Sequence, residues 1–224
     1  MSYKLTETTK LFYDHYLYKV VIVNGLSSIF RDKNFSFAKK MLDDLQLCYE
    51  NHEPLVMKYY ARQQLIKESD FLVAKYLLNL FEKSDGYTFR IEHPRLTVYS
   101  NDKHWLESNL LNHEIDIIEY SQPDNRYIDQ LKVKNTILFN NPFDYEYKVT
   151  LDSKVDSSVY NWLMGNQNKV KIGQVCLEEI KNNGYVRGFY FYVRDEKVLR
   201  LVTLMIGNSI TRIDKIVCKA NIDK

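Results

Sequence analysis

The chain has 224 residues, 45% of them hydrophobic and 27% charged, with a formal net charge of +2. That length buries a sizeable core without metal or disulfide staples, and that composition excludes wholesale disorder and the fibrous classes. A charge so near zero gives no long-range field, which argues against a sliding duplex binder that relies on many phosphate contacts. Along the chain, Tyr16 to Val23 alternates as a strand and Asn24-Gly25 supplies a turn. From Ser36 to Glu50, Phe37, Met41, Leu45, Cys48 and Tyr49 recur at three- and four-residue spacing, predicting a helix that buries this stripe and wets Lys39, Lys40, Asp43 and Asp44. Leu55 to Lys67 reads as helical and runs into Phe71 to Lys83, where Phe71, Ala74, Leu78 and Phe81 share a face before the stop at Ser84-Asp85-Gly86. Tyr87 to Ile91 and Arg95 to Ser100 read as strands interrupted by Pro94, Ser100-Asn101-Asp102 caps a short helix through Leu111, and Glu114 to Tyr120 returns as a strand. The polar stretch Ser121 to Arg126 is the best loop and marks a boundary.

Beyond it come a strand at Thr136 to Phe139, a turn at Asn140-Asn141-Pro142, a strand at Tyr145 to Leu151, and helical character at Val155 to Met164 and Ile172 to Asn182. Ile172, Val175, Cys176 and Ile180 form the stripe of the latter, and Asn182-Asn183-Gly184 ends it. An aromatic strand from Arg187 to Arg194 follows, then an Asp195-capped helix bearing Val198, Leu201, Val202 and Met205, and a last strand at Ile210 to Cys218. The β-α-β-α-β order predicts an α+β protein with mixed or antiparallel sheets and helices on one face. It resembles the ferredoxin-like folds, with an N-terminal α+β unit at 1–121 and a ferredoxin-like unit at 127–224, or the two fused into one domain.

The aromatic strand carries the most chemistry. Alternation places Phe189, Phe191 and Val193 on one face, expected to be core, and Tyr190, Tyr192 and Arg194 on the other. Arg187, Gly188, Phe189 and Phe191 resemble the RNP1 signature of RNA-recognition motifs, although Tyr190 replaces its small residue, Tyr192 its aliphatic and Arg194 its last aromatic. Tyr190 and Tyr192 are therefore the residues expected to stack on bases, with Arg194, Arg187 and Lys148 available to phosphates. The same tyrosines also suit any half-wet strand surface or a protein interface.

Other chemistries find little support. Pro142, Asp144, Glu146 and Lys148 resemble the PD…(D/E)xK pattern of metal nucleases, but Asp144 and Glu146 lie on one strand, where two carboxylates do not converge on a metal. The histidines at 15, 52, 93, 104 and 113 pair with no other His or Cys at ligand spacing, so no metal or other cofactor is expected. His93, Asp102, His104 and His113 lie close enough in sequence to keep a small metal-dependent nuclease as a third reading. No phosphate-cradling glycine motif or nucleophile elbow occurs, so an enzyme is not the leading expectation. Cys48, Cys176 and Cys218 are odd in number and far apart, as reduced thiols are, and no stretch reads as a signal or membrane span, which predicts a cytoplasmic protein without membrane contact. Abundant residues written with A/T-rich codons (22 Lys, 18 Asn, 18 Tyr, 16 Ile) against 4 Ala lean towards a phage or viral origin, hence host cytoplasm. The leading expectation is single-stranded nucleic acid bound at Tyr190, Tyr192, Arg194, Arg187 and Lys148. The alternative is a protein-interaction or assembly component that uses the same face for a partner or for self-association.

Overall fold

The computed structural model describes residues 3–59, 62–111 and 114–222. They form two compact units: the chain up to Thr8 with His15–Asp124, and Thr9–Asp14 with the chain from Asn125 onward. The architecture is α+β, with a five-stranded sheet in each unit.

In the first unit the elements are β1 (Lys4–Glu7), β2 (Tyr18–Val23), α1 (Phe35–Glu50), β3 (Val56–Tyr59), β4 (Arg62–Leu65), α2 (Glu68–Lys83), β5 (Tyr87–Glu92), β6 (Arg95–Ser100), α3 (Lys103–Leu106) and β7 (Ile117–Gln122). The sheet runs β1-β7-β2-β6-β5, with β1 parallel to β7 and the other pairs antiparallel. Glu92 pairs with Arg95, so His93 and Pro94 form the two-residue turn, where the missing N–H of proline breaks no ladder bond. Asp102 caps α3 by accepting from the Trp105 N–H at 2.9 Å.

The described residues between Leu55 and Lys67 are not helical: β3 and β4 pair antiparallel, with Val56 facing Leu65 and Met57 facing Gln64, and residues 60 and 61 of the expected helix lie outside the described residues. Burial of Leu55 and Met57 on either side of a half-buried Val56 is a period of two, too short a run to outweigh helical spacing in the sequence. In α1 the buried seam is Ala38, Leu42 and Leu45, while Phe37 is exposed. Spacing defines a broad stripe, and packing against α2 sets its centre.

In the second unit the elements are α4 (Ile128–Lys132), β8 (Thr136–Phe139), β9 (Tyr147–Leu151), α5 (Ser158–Gly165), β10 (Val170–Ile172), α6 (Gln174–Lys181), β11 (Tyr190–Val193), α7 (Glu196–Ile206), β12 (Ile210–Cys218) and α8 (Lys219–Ile222). The sheet order is β10-β11-β9-β12-β8, antiparallel except for the β12 and β8 pair. The likeness to ferredoxin-like folds goes no further than helices packed on a largely antiparallel sheet, since both neighbours of β9 run antiparallel to it and β10 adds to the expected strands. Val149, Leu151, Val170, Phe191 and Val193 pack against Val159, Leu163, Cys176, Leu177, Ile180, Val198, Val202 and Ile206 in one core. Cys176 and Ile180 of α6 and Val198 and Val202 of α7 are buried as expected, but Ile172 belongs to β10, Val175 is exposed on α6, and Leu201 and Met205 are exposed on α7, with Leu177 and Ile206 completing the buried seams instead.

Thr9–Asp14 is a strap on this second sheet. The Leu138 N–H donates to the Thr9 carbonyl at 2.8 Å, and Lys10 Nζ reaches both oxygens of Asp214 at 3.1 and 3.0 Å. Asp214 is 1% exposed, and Arg212 bonds it as well as forking onto both oxygens of Asp14. In the first unit Glu119 accepts from Lys19, Thr6 and Ser121.

Phe191→Ala is expected to lower stability by about 3 to 5 kcal/mol as a core truncation, read as a shifted urea midpoint. An unchanged midpoint would remove Phe191 from the core. The Arg212 hydrogen bond holds Asp14 below its usual range against a smaller effect of burial. Burial pushes Glu119 up, but the bonds from Lys19, Thr6 and Ser121 outweigh it and leave its carboxyl lowered. Groups with depressed folded values stabilise the fold above their unfolded value near pH 4 and lose that contribution as pH falls through the folded value. The urea midpoint is therefore expected to drop below about pH 4, with Asp14→Asn flattening part of that drop.

Candidate ligand face on the second sheet

The pleat separates the two sides of β9, β10 and β11. With Val149, Phe191, Val193 and Val170 in the core, Lys148, Thr150, Tyr190, Tyr192 and Lys171 emerge on the opposite face. Register aligns them: Lys171 lies opposite Tyr192, Tyr192 opposite Lys148, and Lys148 opposite Asp214, a row that crosses four strands. Tyr190 lies opposite Thr150 in the next row.

The rings form one cluster. Tyr192 meets Phe143 edge to face at 4.9 Å between centroids, Tyr190 at 5.5 Å and Phe139 at 6.3 Å. Lys148 Nζ sits 3.9 Å from the centroid of Tyr190, and Lys171 Nζ 5.2 Å from that of Phe143, both within cation–π range. Tyr190 is 44% exposed, whereas Tyr192 is half-buried, and burial followed by the neighbouring Tyr190 pushes its hydroxyl above the usual tyrosine range.

Of the five residues expected from the sequence, the structure brings together Tyr190, Tyr192 and Lys148. Arg187 and Arg194 lie outside this cluster, because the strand spans only Tyr190–Val193. Val186 to Phe189 form a turn closed by the Phe189 N–H on the Val186 carbonyl at 3.0 Å, with Gly188 at φ +82°. That backbone favours glycine, so Gly188 serves the turn, and the RNP1-like run is interrupted at its second residue. Arg187, at the turn's second position, has Nε 3.8 Å from an Asp152 oxygen. Arg194 is exposed one residue past the strand, its N–H on the Lys169 carbonyl at 2.9 Å. Phe189 is only partly buried, at the rim of the core.

Sequence reasoning missed Lys171, Phe139 and Phe143. Val170-Lys171-Ile172 does alternate, and the Asn140-Asn141-Pro142 turn does fold Phe143 back towards Phe139, 5.0 Å away, but three- and four-residue strands are weak signals.

Among the described residues no group of three or more His, Cys, Asp or Glu could hold a metal ion. His93 Nδ1 lies 3.2 Å from Ser27 Oγ, but Ser27 is fully buried, so this pair satisfies a buried hydroxyl rather than presenting a nucleophile. His104 lies beside the Ser108 hydroxyl, and His113 lies outside the described residues. No described helix is long and apolar enough to cross a membrane. Comparison of the chain with protein-family models, with curated proteins and with solved structures finds no match.

The cysteines are free thiols. Burial, then the Glu179 charge, pushes Cys176 up to about 11, which leaves almost no thiolate near neutrality. With 5,5′-dithiobis(2-nitrobenzoate) at pH 8, the half-buried Cys48 is expected to react first, and the buried Cys176 and Cys218 only on unfolding. Three thiols reacting at one rate in the folded protein would contradict this.

Proposed function

We propose that the exposed face of the second sheet binds single-stranded nucleic acid. The observation that carries this reading is the row Lys171, Tyr192, Lys148, which interleaves cations with rings and has Tyr190 and Phe143 beside it. Bases of any identity stack on such rings for about 1 to 3 kcal/mol each, and ammonium groups take the phosphates between them. Lys148 already covers one side of Tyr190, but an exposed cation–π contact is worth only about 0.5 to 1 kcal/mol. A stacking base outbids it and frees the ammonium for a phosphate. With two or three phosphates neutralised, log affinity should fall with log salt at a slope of only about −1.5 to −2, in keeping with the small net charge.

A second reading rests on α7, where Leu201, Leu204 and Met205 are 52%, 84% and 43% exposed. Such a patch suits a protein-interaction or assembly component.

By fluorescence anisotropy with labelled dT12 or rU12, Tyr190→Ala is expected to weaken binding about five- to tenfold, within the range of one stacked base. Lys148→Ala should reduce the magnitude of the salt slope by about 0.7. No binding by the wild type at low salt would reject the reading. Light-scattering mass that falls with Leu204→Glu but not with Tyr190→Ala would favour assembly.

A further inference from the structure

Next to the tyrosines, on the β10 side of β11 and away from Lys148, the surface opens into a cleft of about 440 Å³. We propose that this cleft holds one nucleotide of the bound strand, with its base against Tyr190, Tyr192 and Phe189 and its phosphate beside Lys171. The inference rests on the nucleic-acid reading of the face and assigns that face a discrete subsite.

Three observations carry it. The first is composition: Ile172, Val175, Phe189, Tyr190 and Tyr192 give the cleft apolar and aromatic walls, and Lys171 is the one charged residue among those lining it. A ligand that suits both is flat, aromatic and anionic, which describes a nucleotide better than an acidic peptide lacking a ring. The second is size. Small-molecule clefts run from about 300 to 1,000 Å³, so this one admits a single nucleotide-sized group and not a duplex. The third is access. Gly173 and Gly188 are among the lining residues, and beyond their own chain neighbours no heavy atom lies within 4 Å of where a Cβ would stand on either, so the backbone borders open space at both. Register adds continuity with the row above, because Lys171 lies opposite Tyr192 and that tyrosine belongs to both the ring cluster and the cleft wall.

The test follows backbone amides by NMR while uridine 5′-monophosphate, uridine and ribose 5-phosphate are added separately to the full chain. The monophosphate is expected to shift amides of Lys171–Cys176 and Gly188–Tyr192 and to saturate, uridine to do so more weakly, and ribose 5-phosphate to leave the Tyr190 and Phe189 amides unmoved. Val175 is 60% exposed, so Val175→Trp fills the cleft without touching the core. It should weaken the monophosphate at least fivefold, and Lys171→Glu should remove the advantage of the monophosphate over uridine. If the oligonucleotide binds with its Tyr190 dependence but the monophosphate moves no cleft amide, the subsite is wrong and the face stands. If the oligonucleotide does not bind at all, both fall. Shifts with an acidic peptide equal to those with the monophosphate would also overturn the assignment.

Discussion

The constraint on which the second unit depends is the two-residue period of β9 and β11. Phe191 and Val193 fill the space under α5, α6 and α7, and Val149 does the same from the neighbouring strand. A slip of one residue would carry Phe191 to the opposite face, at a cost of about 1.5 to 3 kcal/mol for that side chain alone, so register is firmly held. Once it is held, Lys148, Tyr190 and Tyr192 can only emerge on the other side. The character of the candidate face is thus a consequence of core energetics, and substitutions there are separable from folding to the extent that the side chains are exposed.

A buried charge organises the rest of that face. Asp214 lies in the same row as Lys148, Tyr192 and Lys171, yet its oxygens are taken by Lys10 and Arg212. Burying a carboxylate is unfavourable unless it is paired and hydrogen-bonded, and the partners here come from the strap and from its own strand. The strap residue lies 204 positions away in sequence, which ties the second unit to a short segment from the start of the chain. With Asp214 engaged in this way, the Lys148 ammonium lies over Tyr190.

Aromatic content by itself does not distinguish the units. In the first, Phe81 stacks with Tyr87 and Phe89 at 5.1 and 5.0 Å, Tyr87 with Trp105 at 5.3 Å, and Phe30 and Phe81 are buried. There the rings serve packing, and the Tyr87 hydroxyl, pushed up to about 12 chiefly by burial, donates to the Phe81 carbonyl. In the second unit a comparable set of rings meets lysines at a surface. A lysine lies over a ring in the first unit too, Lys33 Nζ 5.6 Å from the Phe89 centroid, so what separates a core cluster from a candidate platform is its cover: Phe81 is buried, whereas Tyr190 is exposed.

The sequence by itself determined the α+β class, most strands and helices, the Asp102 and Asp195 caps, and the alternation that turns Phe191 inward and Tyr190 outward, because these rest on local periods and local hydrogen bonds. Tertiary structure decided the rest. Val56–Tyr59 and Arg62–Leu65 became paired strands, the seams of α1, α6 and α7 were turned to face their neighbours, and Gly188 cut the aromatic strand short by entering a turn. Tertiary structure also placed Lys171, Phe143 and Phe139 beside Tyr192 and removed Arg187 and Arg194 from the cluster. Periodicity fixes which residues share a face of one element, but strand order and register fix which faces meet, and both are set by contacts between residues distant in sequence.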